Sequence, residues 1–180
     1  MLQPPFAIQG VPLADIAQQF GTPVYVYDAE KIVAQINNLK TAFADAPVKI
    51  KYAAKALTNI SVLKLIRKAG AGVDVVSLQE VQLALRAGFA PANVMFTPSG
   101  VPFAEIEAGV TAGVAINLDN LSALEKFGKR YGNSYPCCIR LNPSIMAGGN
   151  IKISTGHSNS KFGISIHQLQ EILTLVKLYN

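Results

Sequence analysis

The chain has 180 residues, half of them apolar and two of them cysteine. This composition is enough for one sizeable hydrophobic core and excludes a disordered chain or a disulfide scaffold. The net charge of +5 comes from lysines and arginines spread along the chain without a basic run, so it does not predict a nucleic-acid interface. No apolar run approaches the roughly 18 residues that span a bilayer. Residues 1–10 also lack the basic start of a secretory signal, so we expect a cytoplasmic protein without membrane contact.

Strand-like and helical segments alternate along the chain. We predict strands at 22–27, 48–54, 73–76, 94–96, 114–118 and 136–141, with a loop at 142–160. Helices are predicted at 29–43, at 59–68, after each of the next three strands, and at about 165–178. Of the three helices between 77 and 136, the first is opened by Ser77 and Glu80 as a capping box, the second has Pro102 in its first turn, and the third is capped by Asp119 or Asn120.

Three of the predicted helices end at an Ala-Gly pair, which places Gly70, Gly88 and Gly113 just past the helix ends. Glycine there supplies the left-handed conformation that stops a helix. A short apolar run follows each of these glycines, and such runs separated by helices are typical of parallel strands.

The number of strand-helix units leaves two architectures open. About five units lie between Pro47 and Asn180, whereas a closed eight-stranded barrel takes roughly 250 residues. The chain is either an open, doubly wound α/β sheet or a partial barrel whose later strands lie on a segment outside this sequence.

Three charged residues lie at or near the ends of predicted strands. Lys55 follows an otherwise apolar strand, and the carboxyl ends of parallel strands face the ligand site. Its amine is suited to a Schiff base with a carbonyl cofactor, although a strand-end lysine often only extends into solvent. Asp74 places a carboxylate within a buried strand, which is costly unless it is paired with Lys55 or with a loop donor. With Arg140 near a further strand end, these residues predict a polar pocket at one sheet edge.

The adjacent Cys137 and Cys138 carry a weaker signal. Neighbouring side chains on a strand point to opposite faces, so the two thiols neither chelate one ion together nor bridge each other. We therefore expect ordinary core or near-core residues here, and no metal site.

Six segments occur in an order that covers nearly the whole chain. They are Gly21-Thr22-Pro23-Val24-Tyr25-Val26-Tyr27, Tyr52-Ala53-Ala54-Lys55-Ala56, Gly72-Val73-Asp74-Val75-Val76-Ser77, Ile116-Asn117-Leu118-Asp119-Asn120, Ile139-Arg140-Leu141-Asn142-Pro143, and Ser154-Thr155-Gly156-His157 with Ser160-Lys161-Phe162-Gly163-Ile164. Each is weak alone, but the ordered set resembles the diaminopimelate decarboxylases, pyridoxal-phosphate enzymes of the alanine-racemase type.

The resemblance implies a (β/α)8 TIM barrel of the alanine racemase and ornithine decarboxylase type, with about five of its eight units in residues 28–180. Residues 1–27 would join a C-terminal β domain of the full enzyme. The implied cofactor is pyridoxal 5′-phosphate, bound covalently by the catalytic Lys55. The other residues implied to bind the cofactor are Ala53, Asp74, Thr97, Arg140, His157 and Lys161.

The implied reaction of the full homodimeric enzyme is decarboxylation of meso-2,6-diaminopimelate to L-lysine. Related decarboxylases of ornithine, arginine or carboxynorspermidine would share Lys55, and a small single-domain cofactor carrier also uses a strand-end lysine. As a stand-alone chain, the 180 residues would be an inactive or purely associating piece, because half a barrel leaves open strand edges. The phosphate loop and the substrate-reading residues are implied to lie beyond Asn180.

Overall fold

The computed structural model describes residues 6–145 and 161–179. Its strands are β1 (Ala7–Ile8), β2 (Val11–Pro12), β3 (Lys51–Ala53), β4 (Gly72–Val75), β5 (Val94–Phe96), β6 (Ala115–Leu118), β7 (Cys137–Ile139), β8 (Leu141–Asn142) and β9 (Ile164–Ser165). Its α-helices are α1 (Leu13–Phe20), α2 (Ala29–Ala42), α3 (Ile60–Lys68), α4 (Leu78–Arg86), α5 (Phe103–Thr111), α6 (Leu121–Tyr131) and α7 (Leu169–Tyr179). Short 3₁₀ helices lie at Ala54–Ala56, Pro91–Asn93, Gly132–Ser134 and Ile166–Gln168.

The central sheet has five strands in the order β3-β4-β5-β6-β7, all parallel to their neighbours. Crossovers between neighbouring parallel strands are right-handed, so an uninterrupted order places the connecting helices on one face of the sheet. A doubly wound sheet instead reverses its strand order at a switch point. The partial-barrel prediction is therefore confirmed, and the open doubly wound alternative is wrong.

The two faces of this sheet differ. The side chains of β4, β5 and β6 that point to the helix-covered face are all buried. They are Val73, Val75, Val94, Phe96, Ile116 and Leu118. On the opposite face, which we call the open face, the alternate residues are only half-buried, and they include Asp74, Met95 and Asn117. The hydrophobic core thus lies between the sheet and its helices, and the open face corresponds to the inside of a barrel.

Two of the three predicted helix-start signals behave as predicted, and the third is shifted by one position. The Ser77 hydroxyl accepts the backbone N–H of Glu80 at 3.2 Å, and the Glu80 carboxylate accepts the N–H of Val76 at 2.8 Å. The capping box therefore forms, except that the Glu80 carboxylate accepts from Val76, the residue before the cap, and not from Ser77 itself. Asn120 caps α6 by accepting the N–H of Ala123 at 2.8 Å. Pro102 immediately precedes α5 as its N-cap instead of lying in the first turn.

The three Ala-Gly stops also form as predicted. Gly70, Gly88 and Gly113 have φ angles of 78°, 90° and 75°. After each glycine, the next N–H returns to a carbonyl of the last helical turn, as in Ala71 to Ile66 at 3.3 Å. These bonds satisfy helix-end carbonyls and aim the chain into the next strand.

The predicted strand at 22–27 is wrong. Those residues belong to no strand, and Val24, Tyr25, Val26 and Tyr27 are exposed. β-branched and aromatic residues form a strand only beside a partner strand, and the described part of the chain supplies none there.

Other predicted boundaries shift. The strand predicted at 48–54 is limited to β3, so Lys55 lies in the 3₁₀ helix that follows it. The helix predicted from about residue 165 begins as a 3₁₀ turn and becomes α-helical at Leu169. In the described part of the chain, no helix is both long and apolar enough to cross a bilayer.

Candidate active site

A line of polar side chains crosses the open face near the carboxyl ends of three strands. Asp74 lies on β4, Thr97 directly follows β5, and Asn117 lies on β6. The Thr97 hydroxyl donates to Asp74 Oδ1 at 2.6 Å and accepts from the Asn117 amide at 3.4 Å. The Asp74 carboxylate is therefore paired, as its position in the sheet demands. Its partner is not Lys55 but a hydroxyl just past the end of the neighbouring strand, as the alternative of a loop donor predicted.

Lys55 lies at the first strand of the sheet with its side chain exposed. The 3₁₀ helix that carries it is held by buried Ala54, whose carbonyl accepts the N–H of Leu57 at 2.9 Å. The Tyr52 hydroxyl donates to the Leu57 carbonyl at 3.1 Å and closes the same turn. Among residues 6–145 and 161–179, the Lys55 ammonium has no hydrogen bond or ion pair. The amine is thus presented on a fixed turn, and no described residue competes for it.

Ala53 is the last residue of β3 and is the register partner of Asp74. It is half-buried on the open face. Its side chain is a single methyl group, so it adds no polar atom beside the carboxylate.

Arg140 follows β7, the last strand of the sheet. Its N–H donates to the Leu118 carbonyl at 2.7 Å, and its carbonyl accepts the N–H of Ile164 at 2.8 Å. Its guanidinium carbon lies 4.7 Å from the ring centroid of Phe162. The Lys161 ammonium lies 5.2 Å from the same centroid, so two of the predicted cationic residues meet at one ring.

Three residues at or beside the site were not predicted from the sequence, namely Lys51, Asn117 and Phe162. Lys51 lies two residues before Ala53 on the same strand, and Asn117 is the polar residue of an otherwise apolar strand. The period-two alternation of strands is a signal that marks both. Phe162 had no local signal beyond its place beside Lys161. The predicted residue His157 lies outside the described residues.

Lys51 crosses the lower part of the open face. Its ammonium donates to the Asn93 carbonyl at 3.3 Å, passing over Gly72. Burial lowers the pKa of Lys51, and the charge of Lys49 lowers it further, while Asp74 acts in the opposite direction. Positive charge on this face is therefore partly desolvated.

The family is decided by a match over most of the chain. Residues 29–180 match the family model described as pyridoxal-dependent decarboxylase, pyridoxal binding domain. The chain belongs to the pyridoxal-dependent decarboxylase family. The resemblance inferred from the six segments is thereby confirmed.

The diaminopimelate decarboxylases are among the similar members of this family. That of Pseudomonas aeruginosa is 35% identical over 168 residues, which cover 91% of this chain and 40% of that protein. The crystal structure of the Helicobacter pylori enzyme complexed with L-lysine has a TM-score of 0.85 at 33% identity, covering 93% of this chain and 43% of that one. The M. jannaschii enzyme in complex with L-lysine has a TM-score of 0.86 at 28% identity, covering 100% and 44%. The chain therefore spans less than half the length of these relatives.

The donor set of the open face fits the cofactor of this decarboxylase family. Pyridoxal phosphate carries an aldehyde, which condenses with a primary amine, and anionic oxygens, which favour guanidinium and ammonium groups. Lys55 supplies an amine that has no partner within the described ranges, and Arg140 with Lys161 supplies positive charge. Ala53, whose side chain is only a methyl group, is the register partner of the oriented Asp74.

Proposed function

We propose that this chain is the cofactor-binding part of an enzyme that decarboxylates meso-2,6-diaminopimelate to L-lysine with pyridoxal 5′-phosphate. The observation that carries the proposal is the Lys55 amine, exposed and without a partner among the described residues, at the carboxyl end of a parallel strand whose neighbour bears Asp74. The similarity to diaminopimelate decarboxylases over 91% of the chain supports the choice of substrate.

In this proposal Lys55 and Asp74 have separate tasks. Lys55 would hold the cofactor through its Nζ, and Nζ when free would be able to hold a proton at the site. Thr97 Oγ1 holds Asp74 Oδ1 in one orientation, so the carboxylate presents a fixed negative charge to the site. When bound, the cofactor supplies the electron sink for the carbanion left by CO2.

Positive charge on the far side of the site comes from Arg140 and Lys161. A guanidinium stays protonated at every pH that a protein tolerates, so Arg140 attracts the anionic groups of cofactor or substrate without a titration step. His157 completes the proposed cofactor-binding set on the resemblance alone.

The wider assembly is part of the same proposal. Residues 1–27 join a C-terminal β domain, and the enzyme acts as a homodimer in the cytoplasm. The exposed apolar side chains of Val24, Tyr25, Val26 and Tyr27, which lack a partner strand in the described chain, support the first statement.

The decisive experiment replaces Lys55 by Ala in the full-length protein. We expect the variant to lose the visible absorbance of lysine-bound pyridoxal phosphate and the release of CO2 from meso-diaminopimelate. Lys64→Ala is the matched control, because Lys64 is an exposed lysine on the neighbouring helix α3, and it should retain both properties.

Two outcomes contradict the proposal separately. A Lys55→Ala protein that keeps the absorbance refutes the assignment of the lysine. A wild-type protein that binds the cofactor but decarboxylates ornithine, arginine or carboxynorspermidine instead of diaminopimelate refutes the substrate. The isolated 180-residue chain should show no turnover, which a decarboxylation assay on that chain checks.

A further inference from the structure

A two-stranded parallel pair, which we call the strap, follows β7, and Arg140 lies between β7 and the strap. The strap consists of β8 paired with β9, with Leu141 opposite Ile164 and Asn142 opposite Ser165. The backbone of Arg140 is held from both sides, by Leu118 of the main sheet at 2.7 Å and by the N–H of Ile164 at 2.8 Å. Its backbone position is therefore determined by two sheets at once.

The side chain of Arg140 has much less support than its backbone. In the part of the chain that the structure describes, its guanidinium makes no hydrogen bond or ion pair, and its partner is the ring of Phe162 at 4.7 Å. A guanidinium within about 6 Å of an aromatic centroid is attracted to the ring face. The long arginine side chain has many rotamers, so the ring selects among them.

Glycine next to Phe162 makes the contact possible. Gly163 has a φ of 80°, and a Cβ added there would lie 2.9 Å from Asn142 N and 3.1 Å from the Arg140 carbonyl oxygen. A side chain at this position would push the segment of Phe162 and β9 away from β8, and with it the ring. The Phe-Gly pair thus brings an aromatic face against Arg140 because the second residue has no Cβ.

We infer that Phe162 is a positioning residue whose ring fixes the guanidinium of Arg140 at the rim of the open face. This inference rests on the proposed function, in which Arg140 binds the cofactor. Lys161 lies over the same ring with its ammonium at 5.2 Å, so one aromatic side chain organises two of the cations assigned to the site. Phe162 itself touches neither cofactor nor substrate in this role.

The test measures the affinity of the full-length protein for pyridoxal phosphate by absorbance titration. We expect Phe162→Leu to weaken binding by about three- to thirtyfold, the range that a cation–π contact accounts for. Phe162→Tyr keeps the ring and should stay within about threefold of the wild type. Phe103→Leu is the matched control, because Phe103 is another half-buried phenylalanine, at the start of α5, and it should bind the cofactor like the wild type.

A double-variant cycle separates positioning from general support of the fold. In an Arg140→Gln background, we expect Phe162→Leu to add less than about twofold, since the ring has lost the cation that it positions. Thermal unfolding of the cofactor-free Phe162→Leu protein should resemble that of Phe103→Leu. An equal loss of affinity with and without Arg140 would overturn the inference, as would wild-type affinity in Phe162→Leu.

Failure of this inference is distinguishable from failure of the proposed function. If the wild-type protein binds no pyridoxal phosphate, or if Lys55→Ala binds it with unchanged absorbance, the proposed function is wrong. If the wild type binds through Lys55 and Phe162→Leu binds equally well, only the positioning role is wrong.

Discussion

The helix-covered face and the open face of the sheet use alternate residues of the same strands. On β4, Val73 and Val75 are fully buried beneath helices, while Asp74 between them is half-buried and bound to Thr97. On β6, Ile116 and Asn117 are divided in the same way. Stability is concentrated on one face and candidate chemistry on the other. A slip of one residue in register would exchange the two sets, so packing on the covered face also determines which groups line the site.

Truncating the covered face should have the largest effect on stability. Phe96 is fully buried, and its ring packs so closely on Gly109 that a Cβ added there would lie 2.8 Å from it. We expect Phe96→Ala to lower the free energy of unfolding by about 3–5 kcal/mol, measured by urea unfolding of the cofactor-free protein.

Met95, the neighbour of Phe96 on the open face, is the matched control. Because it is only half-buried, Met95→Ala should cost about 1–2 kcal/mol, less than a fully buried methionine. Equal losses at the two positions would contradict the division between the faces.

Removing one hydroxyl from the open face should have an intermediate effect. Thr97→Val keeps the side-chain shape but leaves the Asp74 carboxylate and the Asn117 amide without their shared partner. A hydrogen bond to a charged group contributes about 1.5–3 kcal/mol, so we expect a loss of that size in urea unfolding, with weaker binding of pyridoxal phosphate.

Thr97→Ser retains the hydroxyl and tests whether the hydroxyl or the methyl group matters. It should lose far less affinity for the cofactor than Thr97→Val. If the two variants bind the cofactor equally weakly, the hydrogen bond to Asp74 does not shape the site.

The smallest effect on the free energy of unfolding is expected at Lys51, a charged residue of the open face. Burial lowers the pKa of Lys51 below its ordinary value of 10.5, with Lys49 acting in the same direction. A lysine whose pKa is lower in the folded state binds fewer protons there than in the unfolded chain. The free energy of unfolding should therefore rise as the pH climbs from the folded-state pKa towards 10.5.

Lys51→Met should flatten this rise, which urea unfolding at about pH 8 and about pH 10 would reveal. Lys64→Met, at an exposed lysine of α3, controls for the loss of one positive charge and should keep the wild-type slope. A slope in Lys51→Met as steep as in the wild type would mean that Lys51 titrates alike in the folded and unfolded chains.

Short-range features were readable from the sequence. The glycine stops, the Ser77 and Glu80 box and the Asn120 cap all depend on residues within one helical turn of each other, so local spacing is sufficient to predict them. The strand-end positions of Asp74 and Arg140 follow from short apolar runs in the same way. The strand predicted at 22–27 failed for the converse reason, since a strand requires a partner that local composition does not supply.

The sequence by itself determined the alternation of helices and strands, the family and the residues that carry charge to the strand ends. Only the tertiary structure decided that the strands keep their chain order in one sheet, that Thr97 and not Lys55 pairs with Asp74 from 23 residues away, and that Phe162 lies under Arg140. Those outcomes depend on register between strands and on the close approach that Gly163 allows. Contacts between distant segments arise only once the chain has packed, because no spacing along a single segment encodes them.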